Sequence, residues 1–280
     1  MHAKFPVSGQ SVEATLKFMR PQEAAPYFES AALTGGDERF HFEVETHRVR
    51  VQNLRNASPR ATVAENGFQL LSHRSSVKDL RNDSEVASNY LPEVEALVAE
   101  ALNATRAVAF DVTRRSDAAD GAANRDGQRK PAGHVHVDYT IKSGPQRAAD
   151  VLGAEFVNKH LEAGGSIVQV NAWRPIQGPV LRTPLAVADA SSIDPSHLVA
   201  TEQIFPDRVG EIYHLHHSPE QRWFYVPEMQ SNEVLLLKSW DSREGGTRFT
   251  PHAAFSLPNE PADAVRESIE VRTFAVIAAS

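Results

Sequence analysis

Between Gly133 and Thr140 the chain alternates strictly, with His134, His136 and Asp138 on one side and Val135, Val137 and Tyr139 on the other. A period of two is that of a β-strand, whose successive side chains point to opposite faces. Alternation or short apolar runs predict further strands at residues 167–173, 185–188, 211–217, 223–226, 234–240 and 269–277, and Val108, Phe110 and Val112 mark another. Nearer the amino terminus, Phe42, Val44, Val49 and Val51 suggest a hairpin bending near Glu45-Thr46-His47, and Phe68-Gln69-Leu70-Leu71 follows an Asn66-Gly67 turn.

Two stretches change period. Tyr90, Leu91, Val94, Leu97, Val98, Ala101 and Leu102 recur at three and four residues behind an Asp83-Ser84 cap, predicting a helix that starts or kinks at Pro92. Ala148, Val151, Leu152, Val157 and Leu161 predict a second, opened by Ser143-Gly144-Pro145 and closed by Gly164-Gly165. Residues 114–133 are polar and aperiodic, and read as a loop that is either a lid or plain surface. Residues 1–38 read as an irregular leading segment. The fold class is therefore mainly β with flanking helices (α+β), a sandwich or jelly roll. The expected organisation is an amino-terminal extension over 1–39 and a single domain over 40–280.

Composition narrows the function. The 280 residues carry a net charge of -7, which argues against nucleic acid as the main partner. There is no cysteine, so disulfides, thiolate zinc sites, iron–sulfur clusters and cysteine nucleophiles are excluded. No run approaches the ~20 apolar residues of a membrane span, and the first ten residues lack the apolar core of a secretory signal. A cytoplasmic protein is the expectation.

Any metal must then sit on histidine and carboxylate. His136-x-Asp138 on a strand, joined by a distant histidine, is how a two-His-one-carboxylate site for ferrous iron is built, with open positions opposite the protein ligands. His214, His216, His217 and His252 are candidates for the third ligand. His252 is preferred because it precedes the final strand, where Arg266 and Ser268 share a face. Arg266 can grip a carboxylate through two parallel charge-assisted hydrogen bonds. Arg272 has the same parity and is a second candidate for carboxylate or substrate, unless it pairs with Glu270. Asp111, Arg114 and Arg115 are substrate contacts or solvated charges.

The segments 171–176, 213–225, 235–242, 250–252 and 266–272 closely resemble the hydroxylase/desaturase family of fungal and bacterial secondary metabolism, over roughly residues 40–277. The resemblance implies a double-stranded β-helix enzyme using Fe(II), 2-oxoglutarate and O2 to hydroxylate or desaturate a small natural-product intermediate. It places the metal triad on His136, Asp138 and His252 and the co-substrate arginine on Arg266, with Asn171, Arg174 and Tyr213 as co-substrate or substrate contacts. A homodimer is the assembly considered. Two rivals remain open: a cupin-type oxygenase using His134 and His136 without 2-oxoglutarate, and a non-catalytic β-sandwich that binds a small molecule.

Overall fold

The computed structural model describes residues 11–35 and 37–279. Its strands, in chain order, begin with β1 (Ser11–Met19), β2 (Tyr27–Glu29), β3 (Arg39–His41), β4 (Val44–Asn53), β5 (Phe68–Ser72) and β6 (Arg106–Ser116). The short β7 (Ala123–Asn124), β8 (Gly127–Gln128) and β9 (His136–Val137) follow, then β10 (Ser166–Pro175), β11 (Leu185–Ala188) and β12 (Leu198–Ile204). The last are β13 (Val209–Leu215), β14 (Trp223–Tyr225), β15 (Glu233–Asp241), β16 (His252–Ala254) and β17 (Glu267–Ile277). Helices are α1 (Ala31–Thr34), α2 (Asp83–Glu85), α3 (Leu91–Ala101), α4 (Ser143–Leu152) and α5 (Ala154–Glu162).

These elements build a jelly roll. The larger sheet runs β1-β4-β14-β11-β16-β9-β13-β12-β2-β3, and the smaller runs β5-β15-β10-β17-β6. Their inner faces meet where Leu185 and Val187 of the larger sheet pack against Trp173, Leu235 and Leu237 of the smaller. On the outer face of the smaller sheet, Val168, Val170, Ala172, Val234, Leu236, Ile269 and Val271 are covered by Tyr90, Val94 and Val98. Burying each such side chain contributes about 1.5–3 kcal/mol, which holds the inward-facing polar row of β10 and β17 rigid. Parity decides the site: on β10 the even positions face the helix and the odd ones face the other sheet.

The first predicted helix forms, but its cap is Asn82 rather than Asp83-Ser84: the Asn82 side chain accepts from the N–H groups of Ser84 and Glu85, and Asp83 and Ser84 are the first helical residues. A π-turn over Val86–Tyr90 separates α2 from α3, and Pro92, without an N–H, lies in the first turn beyond it. The second predicted helix is two, α4 and α5, broken at Gly153, whose φ of 89° no helix accommodates.

The amino-terminal third departs from expectation. The expected hairpin near Glu45-Thr46-His47 does not bend there: β4 runs straight through it and pairs with β1 along its length. β1 itself alternates, with Ala14, Leu16 and Phe18 buried and Glu13, Thr15 and Lys17 exposed. Prolines and glycines after residue 20 mask that period. β2 joins β12 in parallel, so residues 11–29 are built into the larger sheet; residues 1–10 lie outside the described residues. The polar stretch 114–133 carries the β7–β8 hairpin.

Candidate metal centre

β9 is only two residues long, yet it fixes the site because it lies between β13 and β16. His136 pairs with His214 on one side and with His252 on the other. The His136 and His252 rings stand 4.4 Å apart between centroids, and Asp138 follows directly after the strand. Ligand atoms of His136, Asp138 and His252 all lie within 4.8 Å of one another, the one such group among the described residues.

Each histidine is held in the tautomer a metal needs. His136 Nδ1 donates to the carbonyl of His134 at 2.9 Å, and His252 Nδ1 to the carbonyl of Thr250 at 3.0 Å. A carbonyl only accepts, so the proton sits on Nδ1 and the Nε2 lone pair faces the site. Thr250 is itself anchored, its hydroxyl donating to the carbonyl of Gly67 at 2.9 Å. Gly67 has φ of 85°, and a Cβ there would run into the Thr250 side chain, so the Asn66-Gly67 turn admits no larger residue. Burial, then the neighbouring His252, pushes His136 down to about 3, which keeps the ring neutral.

Asp138 is oriented from the smaller sheet. Asn171 Nδ2 donates to its Oδ2 at 2.5 Å, Arg272 Nε to Oδ2 at 3.1 Å and Arg272 Nη2 to Oδ1 at 3.3 Å. Burial alone would raise the Asp138 carboxyl, but Arg272, the two histidines and the Asn171 hydrogen bond hold it well below the usual carboxylate range. Arg272 also meets Asp111 at 2.6 Å and Glu270 at 2.9 Å. Opposed by burial, these carboxylates still hold the guanidinium charged. Burial raises Glu270, and Asp138 adds to this against the pull of Arg272.

Between the sheets lies a small cavity, lined by His136, His252, Trp173, Arg115, Arg266 and Glu270 among others. Arg266 is 2 % exposed and sits 5.2 Å from the Trp173 ring. Its Nε and Nη1 have no hydrogen-bond partner. Burial, and then Arg115, lower the guanidinium to about 9. A buried cation with unpaired donors, in a cavity also lined by His136 and His252, offers charge-assisted hydrogen bonds to a carboxylate.

The other sequence candidates fall elsewhere. Ser268 is buried on the same parity as Arg266 but does not line the cavity. Arg174, at even parity, faces away from Asn171: it donates to the carbonyls of His73 and Ser231 and lies 5.5 Å from the Tyr90 ring. Tyr213 accepts from the N–H of Ile141 and packs edge-on to Phe249. His134 turns to Phe40, 4.0 Å between rings, and His214 to Phe42 at 4.7 Å. His216 donates to the carbonyl of Met19 and His217 stacks on His47. Arg114 is buried and bonded to Leu80 and Asp83. Arg115, read from the sequence as a substrate contact or a solvated charge, lines the cavity, as does Glu270, which the sequence suggested only as a partner of Arg272.

The family described as an oxidoreductase/YMDC permease-like domain matches residues 16–276. The chain belongs to this family. Among its relatives, the alpha-ketoglutarate-dependent dioxygenase phiK of Fungal sp. is 28 % identical, covering 95 % of this chain and 96 % of that protein. Hydroxylase/desaturase efuI of Hormonema carpetanum is 29 % identical, with 95 % of each chain covered. The solved structure of the iron and alpha-ketoglutarate-dependent endoperoxidase NvfI superposes with a TM-score of 0.83 and 28 % identity, over 98 % of this chain and all of that one. The resemblance noted from the sequence thus leads to the same group of proteins, and a jelly roll is the fold in common. Among the described residues, no helix of this family member is long and apolar enough to cross a membrane.

Proposed function

We propose that this oxidoreductase is a non-haem Fe(II)- and 2-oxoglutarate-dependent dioxygenase that hydroxylates or desaturates a small natural-product intermediate in the cytoplasm, with His136, Asp138 and His252 holding the iron. The observation that carries this is the convergence of the His136, Asp138 and His252 ligand atoms at a cavity that the two histidines share with the unpaired, buried guanidinium of Arg266. The donor set suits the metal: two neutral imidazoles and one carboxylate favour iron and leave positions open on the far side. When bound, the iron with 2-oxoglutarate and O2 supplies the oxidation of an unactivated C–H bond, 2-oxoglutarate being converted to succinate and CO2.

The chain's own work is positional. The backbone carbonyls of His134 and Thr250 keep each ligating ring in one tautomer, and Asn171 and Arg272 keep Asp138 ionised and oriented. Arg266 receives the distal carboxylate of 2-oxoglutarate, and Trp173 walls the cavity beneath it, limiting water. The arrangement does not favour the cupin-type rival, because His134 is spent on Phe40 rather than on the site.

Succinate formation by protein purified without oxygen and then given Fe(II), 2-oxoglutarate and O2 tests the reading. Slow turnover uncoupled from substrate is expected in the wild type and absent in His252→Ala and Arg266→Ala. A wild type that binds iron but makes succinate indifferently to Arg266→Ala would overturn it in favour of a metal oxygenase without 2-oxoglutarate.

A further inference from the structure

Arg115 lies on β6 directly opposite Ser268 of β17 and lines the same cavity as Arg266. Its Nη1 donates to the carbonyl of Lys130 at 2.7 Å, in the stretch leading to His136. Among the described residues no carboxylate comes within ion-pair distance of either Arg115 or the Arg266 guanidinium, and the acids nearest Arg266 are partnered elsewhere. Glu270 is bound to Arg272 at 2.9 Å, and Asp117 to Arg182 at 3.1 Å and to the backbone N–H of Arg266. Glu38 acts on Arg115 only through its longer-range field. Two guanidinium groups, Arg266 buried and Arg115 half-buried, therefore share a cavity in which neither has an ion-pair partner of its own. Like charges brought together in a largely protein-lined cavity are costly until an anion joins them.

From this geometry we infer that Arg115 is a second binding residue for the distal carboxylate of the 2-oxo acid, forming with Arg266 a two-guanidinium receptor. The inference rests on the dioxygenase reading above. Two planar forks can satisfy all the lone pairs of one carboxylate, which a single arginine cannot. The Lys130 carbonyl positions Arg115, so the polar segment between β8 and β9 becomes part of the co-substrate site.

The test is calorimetric titration of anaerobic Fe(II)-loaded protein with 2-oxoglutarate and, separately, with pyruvate, a 2-oxo acid that lacks the distal carboxylate. Arg115→Ala should weaken 2-oxoglutarate by ~10- to 100-fold, as expected when hydrogen bonds between charged groups are removed, and leave pyruvate unchanged. Arg115→Lys, which keeps the charge without the fork, should recover part of the loss. Iron stoichiometry and melting temperature report that the variants are folded. Unchanged 2-oxoglutarate affinity in Arg115→Ala, or an equal loss for both acids, would overturn the inference. Arg266→Ala separates this from the parent reading: if it too leaves 2-oxoglutarate unaffected, the dioxygenase reading fails with it.

Discussion

Arg272 faces three carboxylates at once, and removing it shows what the smaller sheet does for Asp138. Arg272→Met keeps much of the volume but deletes the contacts to Asp138, Asp111 and Glu270. Asp138 and Glu270 are 10 % and 14 % exposed at their side chains, so the loss leaves two buried carboxylates side by side without a cation. Breaking a buried pair by deleting one partner costs about 3–5 kcal/mol. At ~2–4 °C per kcal/mol for chains of comparable size, the melting temperature should fall by roughly 6–20 °C.

The deficit should depend on pH. In the wild type the Asp138 carboxyl is held well below its unfolded value. Its contribution is therefore present above the unfolded carboxylate range and is lost only as the pH drops below that range. Without the guanidinium, burial and the adjacent like charge place both carboxyls above their unfolded values, so the folded variant holds protons that the unfolded chain has released. Stability of the variant then falls as pH rises. Urea melts of metal-free protein between pH 5 and 8 should show a gap between wild type and variant that widens with pH. A gap below ~1 kcal/mol, or one independent of pH, would refute the claim that Arg272 neutralises these carboxylates.

Three further outcomes follow from the geometry. Metal-free wild type should lose stability as pH falls from ~6.5 toward 4, because the unfolded chain takes up protons that burial denies to His136 (about 3), His134 (about 4) and His214 in the folded state; His134→Asn should flatten the slope of stability against pH in urea melts. Gly67→Ala should lower Fe(II) affinity ~10- to 100-fold by displacing Thr250, which holds the His252 ring, as measured by anaerobic metal titration; an unchanged affinity would separate Gly67 from the site. Leu236→Ala, in the fully buried face under α3, should cost ~2–5 kcal/mol in denaturant melts while metal stoichiometry stays that of the wild type.

Much of this architecture was legible because it is written locally. Alternation located β10, β11, β13, β15 and β17 to within a few residues, and the His136-x-Asp138 spacing marked ligands that need only a turn to converge. What was not legible depends on register between distant strands. β1 was hidden because prolines and glycines follow its short alternating stretch, and β4 looked like a hairpin because polar Glu45, Thr46 and His47 interrupt its apolar positions. Asn171 and Arg174 were grouped by sequence motif, yet they differ in parity on β10 and so point to opposite faces of the sheet; that signal was available. The meeting of Asn171 and Arg272 on Asp138 was not, since it requires β10 and β17 to be paired Asn171 to Arg272. Arg115 shares that difficulty: only its pairing with Ser268 brings it to Arg266.

The most direct measurement is the anaerobic binding stoichiometry of Fe(II) in the wild type and in single alanine variants of His134, His136, Asp138, His214 and His252. The account predicts one tightly bound ion in the wild type, His134→Ala and His214→Ala, and loss of tight binding in His136→Ala, Asp138→Ala and His252→Ala. Loss in His134→Ala with retention in Asp138→Ala or His252→Ala would contradict it and move the metal onto the His134-x-His136 pair.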